Sequence, residues 1–467
     1  MRNIPLMPKL LALAFFLPFF AAAQPSDESE DAFYIRKIFD HTLTDSQCFD
    51  WLQYLTRRIG GRLAGSPQAA AAVEYTRQML DTLGLDTVWL QPVMVPHWER
   101  GEPEQARIVN SMKMGSVELD ALALGNSVGT GPRGITAEVV EVRSLDEVDS
   151  LGAQLRGKIV FFNQPMDPTE LNTFAAYGKA AGQRVYGPSR ASRYGAVGAL
   201  VRSLTTRLDD IPHTGSTVYD EQADPIPALA ISTLNANLLS RLLKEEPVRV
   251  FIRNNSRMLG EQLSYNVIGE IRGSAFPEEL ILVGGHLDSW DVGTGAHDDG
   301  AGCVHAMEVL RQIRTLGYQP KRTIRCVLFM NEENGLRGGQ AYWKWSDSQG
   351  EYHTAAIESD RGGFTPRGFT ADGHEDVFSS KFKRVVKWLP LLAPYGLDFE
   401  KGGAGADISG LKRQKGLLFG FKPDAQRYFD YHHTPIDGPD VVNKRELELG
   451  AASMMSLVYL IDKYGLD

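Results

Sequence analysis

Hydrophobic and polar residues follow two different patterns along the chain, and the pattern changes near residue 110. Before that point, Ser66 and Pro67 precede the run QAAAAVEYTRQML, where a capping residue, a first-turn proline and strong helix formers predict a helix. After it come the short β-like runs GITAEVVEV, GKIVFF, VGALVRS and PIPALAIS, which are separated by glycine and proline turns. These runs predict a strand-rich module, residues 110–255, inserted into another domain.

Strands and helices alternate in the second part of the chain, residues 256–467. The runs YNVIGEI, ELILVGG, TIRCVLFM and HTAAIES are typical of buried strands, and the segment from Gly302 to Leu316 is typical of a helix. This βαβ order predicts an α/β fold with a mixed, mostly parallel sheet flanked by helices. Residues 24–109 are expected to form the N-terminal part of the same domain.

The first 23 residues have the pattern of a signal peptide. Arg2 and Lys9 supply positive charge, an apolar run extends from Leu10 to Phe20, and three alanines then form a small-x-small cleavage signal. The apolar run is shorter than the roughly 20 residues that span a bilayer, so a membrane anchor is the weaker interpretation. We therefore expect residues 1–23 to be removed on export, and the mature protein to be secreted or periplasmic without a membrane span.

Composition narrows the classes of partner. The chain carries a formal net charge of -9, and an acidic surface repels phosphate backbones, so nucleic acid is not expected as a partner. The 3 cysteines are too few and too scattered for a disulfide framework despite the expected export. Cys303 and Cys326 stand among apolar residues and are expected to be buried thiols rather than metal ligands.

Histidine, aspartate and glutamate recur where successive predicted strands end. ELILVGG leads to His286, within the stretch GGHLDSWDVGTGAHDDGAG, and TIRCVLFM leads to Glu332 and Glu333. HTAAIES leads to Asp360, and GLLFGF leads toward the loop YFDYHHTPID, which contains His433. Because an open α/β sheet binds ligands at the carboxyl ends of its strands, these side chains should meet. Together they are the donor set that suits Zn²⁺.

Other interpretations of these residues are weaker. A single histidine or a pair of adjacent acids is usually exposed or structural, but here such residues recur at several strand ends. The glycine-rich stretch lacks the lysine-containing pattern of a phosphate-binding loop. The HExxH helix of another class of zinc protease is also absent from the sequence.

The motifs GGHLDSWDVGTGAHDDGAG, NEENG, ESD and HHTPID resemble, in order and spacing, the co-catalytic dizinc exopeptidases, a family that includes aminopeptidases and glutamate carboxypeptidases. The segments PHWERGE, RGKIVFFNQP and IPHTG are similar to its plasma glutamate carboxypeptidase (carboxypeptidase Q) subfamily. The inserted module similarly resembles a protease-associated domain. The resemblance implies a zinc exopeptidase fold, two Zn²⁺ per chain, a peptide or dipeptide substrate and a homodimer.

The resemblance also implies a set of zinc ligands. His286 and Asp360 would bind one ion, and Glu333 and His433 would bind the other. Asp298 would bridge the two ions. Three carboxylates and one bridging hydroxide would neutralise the charge of two zinc ions, and zinc lowers the pKa of such a water enough to supply a nucleophile near neutral pH.

Two further residues would serve the reaction. Glu332 matches the general base of the family, which takes the proton of the water and passes it to the leaving amine. Asp288 matches the carboxylate that orients the imidazole of His286 and raises its basicity.

The neighbours of these residues carry separate expectations. His432 is expected to be structural or to support the ligands, and His297 is interpreted as a loop histidine rather than a substrate contact. Asp407 matches a glycine-rich segment that lines the cleft of the family. The remaining polar residues of the region are expected to be exposed to solvent: Asp291, Asp299 and His305.

The combined expectation is a secreted zinc metallo-exopeptidase that hydrolyses dipeptides or short peptides, and the resemblance favours the carboxypeptidase type. An aminopeptidase of the same fold is the alternative. It needs acidic or carbonyl groups for the ammonium of the substrate, whereas a carboxypeptidase needs a cation or hydrogen-bond donors for its carboxylate. Arg361 and Arg337 are close in sequence to the expected metal ligands, but this closeness does not show whether either side chain faces the cleft. Two further alternatives, a catalytically inactive receptor-like protein and a single-zinc cyclase, are weaker than the exopeptidase interpretation, since all five ligands and the base are present.

Overall fold

The computed structural model describes residues 27–221 and 223–466, so the expected signal peptide lies outside the described residues. The α-helices are α1 Asp27–Asp45, α2 Cys48–Tyr54, α3 Pro67–Asp81, α4 Leu145–Leu151, α5 Thr173–Val185, α6 Gly187–Ser192, α7 Thr233–Leu243, α8 Ala301–Thr315, α9 Glu332–Gly335, α10 Arg337–Gln349, α11 Glu375–Val386, α12 Leu389–Leu392, α13 Tyr428–Tyr431 and α14 Lys444–Tyr464. The strands are β1 Thr87–Glu99, β2 Gln105–Ser111, β3 Gly115–Leu119, β4 Ala121–Ala123, β5 Ile135–Val142, β6 Ile159–Phe162, β7 Gly198–Arg202, β8 Ala228–Ile231, β9 Arg249–Arg253, β10 Arg257–Ile271, β11 Phe276–His286, β12 Arg322–Phe329, β13 Tyr352–Glu358, β14 Pro366–Gly373, β15 Asp398–Lys401 and β16 Leu417–Pro423. Single turns of 3₁₀ or π helix are Leu55–Ile59, Gly152–Leu155, Ala296–Gly300, Ala393–Tyr395, Ser409–Gln414 and Pro439–Val441.

The first sheet has eight strands in the order β1-β10-β12-β11-β13-β16-β14-β15. Its centre, β12, β11, β13 and β16, is parallel, whereas β1, β10 and β12 pair antiparallel at one side and β14 pairs antiparallel with β16 at the other. The predicted mixed sheet is therefore confirmed. Because the four central strands run in the same direction, the residues that follow them meet at one edge.

The second sheet also has eight strands, in the order β3-β2-β9-β5-β6-β7-β8-β4. All of its strands come from the chain between Gln105 and Arg253. Strands β5, β6, β7 and β8 are parallel, and the outer strands are antiparallel. The segment therefore contains not only the predicted strands but also the helices α4 to α7, which the sequence pattern did not indicate.

Helices cover both faces of the first sheet, which explains why its central strands are mostly buried and mainly apolar. On one face, α1, α2, α3, α8 and α14 contribute to the largest hydrophobic core. On the other face, Tyr342 of α10 packs with Phe329 and Leu282 in a smaller core. The candidate ligands lie at or just beyond the carboxyl ends of these buried strands.

Local signals account for the ends of several helices. The predicted helix after Ser66 is α3, and the Ser66 side chain accepts a hydrogen bond from the Ala69 N–H. The C-terminal helix α14 begins after Asn443, whose side chain accepts from the N–H groups of Arg445 and Glu446. Two helices, α1 and α2, precede α3, although the sequence pattern indicated α3 as the first helix.

The expectation that His305 is exposed was wrong. His305 is fully buried in α8, where its Nδ1 lies 3.0 Å from Ser359 Oγ and its Nε2 lies 2.9 Å from the Leu447 carbonyl oxygen. Burial lowers the pKa of its ring to about 4. The polar face of α8 is covered because α14 packs against it, a long-range contact that helical periodicity cannot reveal.

The cysteines agree with the expectation for them. Cys48, Cys303 and Cys326 are buried and free, so the interpretation of Cys303 and Cys326 as buried thiols is confirmed. Among the described helices, none combines the length and apolar character that crossing a membrane requires.

Candidate metal centre

Asp298 is the centre of a buried cluster of histidines and carboxylates. Its Oδ1 atom lies 3.2 Å from Nε2 of His286, and its Oδ2 atom lies 3.3 Å from Nε2 of His433. His286 ends β11, Asp298 lies in the turn before α8, and His433 follows α13, so three separate segments converge. The peptide bond between Asp298 and Asp299 is cis.

Each histidine is also close to a second carboxylate. Nε2 of His286 lies 3.4 Å from Oδ1 of Asp360, which follows β13. Nε2 of His433 lies 3.1 Å from Oε2 of Glu333, which follows β12. The five residues expected as ligands thus form two groups of three, and Asp298 belongs to both.

Backbone carbonyl groups orient both imidazole rings. Nδ1 of His286 lies 3.0 Å from the carbonyl oxygen of Asp288, and Nδ1 of His433 lies 3.3 Å from that of Thr214. A carbonyl oxygen only accepts, so in each ring Nδ1 carries a proton and Nε2 faces the cluster, where it would offer a lone pair to a bound metal ion. Thr214 belongs to the IPHTG segment between β7 and β8, so the second sheet supplies one of these two supports.

The buried donors fit metal ions. Oδ2 of Asp298 and Oε1 of Glu333 are buried and have no hydrogen-bond partner, which is costly for carboxylates unless a cation is bound. Burial lowers the pKa of His433, but the carboxylates of Glu333 and Asp298 outweigh it and raise that pKa to about 10. Burial also lowers the pKa of His286, but the carboxylates of Asp360 and Asp298 outweigh it and raise that pKa well above its usual value. The cluster therefore attracts positive charge, and nitrogen and oxygen donors suit Zn²⁺.

The carboxylate of Asp288 holds the loop that carries the expected base. It accepts hydrogen bonds from the backbone N–H groups of Asn331, Glu332 and Glu333 at 2.7, 3.0 and 3.3 Å. Its Oδ1 lies 3.8 Å from Nδ1 of His286, beyond hydrogen-bond distance, so the ring is oriented by the Asp288 carbonyl rather than by the carboxylate. Asn331 has a φ of 74°, a left-handed conformation that these bonds stabilise.

Glu332 lies partly buried in the wall of the cavity that also contains Asp298, Glu333, Asp360 and His433. Burial raises the pKa of its carboxyl group well above the usual value, and the neighbouring carboxylates of Asp360 and Glu333 raise it further, although His286 opposes them. A carboxyl group with a raised pKa is a suitable general base because it can both take and return a proton near neutral pH.

Asp299 and His432 also lie within reach of the cluster. The expectation that Asp299 is exposed was wrong: it is fully buried, and its carboxylate accepts from the N–H groups of His286 and Gly302 at 3.0 and 2.9 Å. His432 stacks on His433 with ring centroids 3.5 Å apart, and its Nε2 is 3.8 Å from Asp298. Both residues therefore support the candidate ligands. The expectation that Asp291 is exposed is confirmed, and Arg100 binds its carboxylate at 2.7 and 2.8 Å.

His297 and Asp407 are both buried. His297 stacks on Phe364 at 4.0 Å, and its Nδ1 accepts from the N–H of Gly363 at 3.1 Å, so it is a packing residue behind the cluster. Neither carboxylate oxygen of Asp407 has a hydrogen-bond partner, and burial raises the pKa of the group well above its usual range.

The three arginines near the site have different surroundings. Arg337 points outward and lies 3.4 Å from Glu261. Arg361 lines a neighbouring cavity of about 1050 Å³, where its Nη2 donates to the Gly403 carbonyl oxygen at 2.8 Å. Arg184 of α5 lines the cavity of about 400 Å³ that contains the candidate ligands. Sequence reasoning missed Arg184, because nothing in α5 marks one arginine out.

Comparison with known proteins identifies the family of the chain. Residues 266–458 match the model of Peptidase family M28. Carboxypeptidase Q of Bos taurus is 34% identical over 420 residues, which are 89% of this chain and 85% of the relative. The M28 peptidase precursor of Shewanella amazonensis superposes with a TM-score of 0.87 at 33% identity, over 93% of this chain and 97% of that one. The zinc aminopeptidase of Bacillus subtilis shares the fold, with a TM-score of 0.63 at 18% identity over 89% and 94% of the two chains.

The chain belongs to peptidase family M28, and it is a metallopeptidase. Within that family it is a homologue of carboxypeptidase Q, with relatives from cattle and humans at 34% and 33% identity.

Proposed function

We propose that this protein is a secreted or periplasmic dizinc exopeptidase that cleaves dipeptides or short peptides as a carboxypeptidase or dipeptidase. The observation that supports this most directly is the position of Asp298, whose two oxygens face two separate pairs of a histidine and a carboxylate. A shared carboxylate of this kind can hold two metal ions at the short separation used by co-catalytic hydrolases.

The chain would hold two zinc ions through residues that are already oriented. Bound zinc would lower the pKa of a water molecule and polarise the carbonyl group of the scissile peptide bond. The protein's part is to keep the donors buried and to direct both histidine Nε2 atoms inward through backbone carbonyl groups. The proposed ligands are His286, Asp298, Glu333, Asp360 and His433.

Glu332 would act as the general base. Its carboxylate would take a proton from the attacking water and then give it to the amine nitrogen that leaves. Its place in the same cavity as the proposed ligands supports this role. Asp288 would be a positioning residue, since its carboxylate holds the backbone of Glu332.

Replacement of Glu332 tests the proposal. Glu332→Gln should keep its zinc but lower kcat on a dipeptide by about 10²- to 10⁴-fold, because the proton acceptor is lost. Glu375→Gln, an exposed acid at the start of α11, is the matched control and should leave kcat unchanged. Full activity of Glu332→Gln, or of zinc-free protein, would rule the proposed mechanism out.

The domain division is part of the proposal. Residues 110–255 would form an inserted protease-associated domain, which the second sheet supports, and residues 24–109 and 256–467 would form the peptidase domain. Residues 1–23 would be the cleaved signal peptide. Sequencing the N-terminus of protein recovered from the periplasm or the medium tests the cleavage, and an intact leader on that protein would contradict it.

A homodimer is the proposed assembly, and the antiparallel two-stranded ribbon that β1 and β10 form supports it. Strand β10 pairs with β12 only from Val267 onward, so its earlier part forms an open edge in the described structure. Met94, Met258 and Leu263 on this ribbon are 47%, 50% and 54% exposed. Exposed apolar side chains beside an open edge are typical of an interface. Light scattering of Leu263→Lys should give a monomer if this surface forms the dimer.

A further inference from the structure

We propose that a cavity at the carboxyl edge of the second sheet binds a phosphate group, either as free phosphate or as part of a small phosphate ester. The cavity has a volume of about 280 Å³, close to the smallest ligand pockets of roughly 300 Å³. Among the described residues, it shares no lining residue with the cavity that contains the candidate metal ligands. The inference therefore goes beyond the proposed peptidase function and concerns a separate site.

Three neighbouring strands bring polar residues to this cavity. Arg143 directly follows β5, Asn163 directly follows β6, and Arg202 is the last residue of β7. These strands lie side by side in the second sheet and run in the same direction. Helix α7 contributes Asn237 and Arg241 to the wall. Because open α/β sheets bind ligands at the carboxyl ends of their strands, this edge is a place where a binding site is expected.

Arg202 is buried without an anionic partner. It is 8% exposed, and its Nη1 donates to Oδ1 of Asn237 at 2.8 Å and to Oδ1 of Asn163 at 3.3 Å. Its Nε has no hydrogen-bond partner, and within the described chain no carboxylate oxygen lies within 4.0 Å of the guanidinium group. Burial lowers the pKa of this group, the charge of Arg143 lowers it further, and Glu141 only partly offsets them. A buried charge costs free energy unless an opposite charge meets it, so an anion in the cavity would stabilise Arg202.

The other charged residues that line the cavity are also cations. They are Arg143, Arg241 and Lys244, so the described lining contains four positive charges and no carboxylate. Glu141 lies beside the cavity, but its carboxylate already accepts from Nδ2 of Asn163 at 2.7 Å and lies 3.6 Å from Arg143. This surplus of positive charge stands in a chain whose formal net charge is -9. An anion that enters the cavity would therefore meet cations on several sides.

The number of cations favours a phosphate group over a carboxylate. A carboxylate carries one negative charge, whereas a phosphate ester carries about 1.5 to 2 near pH 7 and offers three acceptor oxygens. Planar arginine side chains bind such oxygens through paired N–H groups. Arg241 and Lys244 lie at the C-terminal end of α7, where the helix dipole alone favours cations. The dipole does not account for Arg202, which is buried at the end of a strand, so the inference rests mainly on Arg202.

Calorimetric titration of the zinc-loaded protein with inorganic phosphate, at constant ionic strength, tests the inference. The wild type should bind phosphate saturably, and Arg202→Gln should weaken this binding by roughly tenfold to hundredfold, the range expected for one charge-assisted hydrogen bond. Arg202→Lys should keep part of the affinity, since lysine keeps the charge but not the fork. Arg133→Gln is the matched control: it makes the same change of charge at an exposed arginine before β5, outside the cavity, and should leave the affinity unchanged.

Two further ligands identify the chemistry and the source of the anion. Titration with glycerol phosphate separates the two sources: tighter binding than that of inorganic phosphate assigns a phosphate ester, and equal or weaker binding assigns free phosphate. Acetate tests the alternative anion, and an affinity for acetate equal to that for phosphate would overturn the inference. Because binding is measured rather than turnover, the result does not depend on the proposed peptidase function.

The variants also separate this cavity from the metal centre. Bound zinc can itself bind phosphate, but that binding should not depend on Arg202, which lies outside the metal-site cavity. The same phosphate affinity in the wild type, Arg202→Gln and Arg133→Gln, or no saturable binding at all, overturns the inference. Thermal unfolding identifies misfolded variants. If Arg202→Gln does not fold, the double variant Arg241→Gln/Lys244→Gln takes its place, since both positions are exposed, and it should weaken phosphate binding by about tenfold.

Discussion

The carboxylate of Asp288 holds the backbone of Glu332, whose N–H donates to Oδ1 of Asp288 at 3.0 Å. The N–H groups of Asn331 and Glu333 donate to the same carboxylate. One buried acid at the end of β11 therefore positions the segment after β12 that carries both the proposed base and a proposed ligand. This link joins two neighbouring parallel strands at the edge where the site lies.

Replacing Asp288 should affect both stability and turnover. Asp288→Ala leaves three buried N–H groups without their acceptor, so we expect the free energy of unfolding to fall by about 3 kcal/mol or more. Because Glu332 then loses its position, kcat should fall even under conditions where the protein is folded. Asp288→Asn keeps one acceptor oxygen and should lose less in both measurements. Denaturant unfolding and steady-state kinetics check this, and wild-type turnover in Asp288→Ala would contradict the positioning role.

The shared position of Asp298 predicts how metal content depends on each ligand. Asp298→Ala should reduce zinc from the proposed two ions per chain to nearly none, whereas Asp360→Ala should remove mainly one, because only Asp298 faces both histidines. A metal ion that binds only the folded state stabilises it by roughly 3 kcal/mol per site when the free metal concentration is about a hundred times Kd. Chelation should therefore lower Tm. Elemental analysis and thermal unfolding measure both effects. Equal zinc loss in the two variants would argue against a bridging carboxylate.

Much of the site could be predicted because its residues follow strands whose apolar pattern is unambiguous. His286 ends β11, Glu333 and Asp360 follow β12 and β13 within a few residues, and neighbouring parallel strands end at the same edge. The structure brings these residues together with Asp298 and His433, as the strand ends and the family resemblance led us to expect. Their roles as ligands remain proposals that the metal analysis above tests.

The remaining features depend on contacts between segments that are distant in the chain. The burial of His305 follows from the packing of α14 on α8, and helical periodicity describes only one helix at a time. The support of His433 by Thr214 and the place of Arg184 depend on how the second sheet packs on the first. The carboxylate of Asp288 was expected at the imidazole of His286, but the backbone of the next loop offers it three N–H donors.

His353 should make stability depend on pH. It lies buried at the start of β13, with Nε2 2.8 Å from the Tyr342 hydroxyl and Nδ1 2.9 Å from Gln414 Oε1. Burial lowers the pKa of its ring from 6.5 to about 4. Between these values the unfolded chain binds a proton that the folded protein does not, so stability is full above pH 6.5 and falls as the pH drops.

The His353→Gln variant isolates this effect. At pH 7 it should be less stable than the wild type, because a buried ring and its hydrogen bonds are lost. From pH 6.5 to pH 4 the difference should shrink by up to about 1.4 kcal/mol per pH unit, since the variant has no such proton to take up. Denaturant unfolding across this range measures the gap. A gap that stays constant would show that His353 does not carry the predicted linkage.

Gly302 should tolerate no side chain, because three parts of the site meet there. A β-carbon on Gly302 would lie 1.8 Å from the carbonyl oxygen of Ser359 and 2.4 Å from the carboxylate of Asp299. Ser359 precedes the proposed ligand Asp360, and Asp299 binds the N–H of His286. Gly302→Ala should therefore lower the free energy of unfolding by roughly 1–3 kcal/mol or more through overpacking and also reduce zinc content. Gly178→Ala is the matched control: Gly178 lies in α5 with nothing within 4 Å of its β-carbon position, so alanine should stabilise by up to about 1 kcal/mol. If both variants unfold alike and bind zinc alike, the close approach of α8 to the end of β13 does not hold the site together.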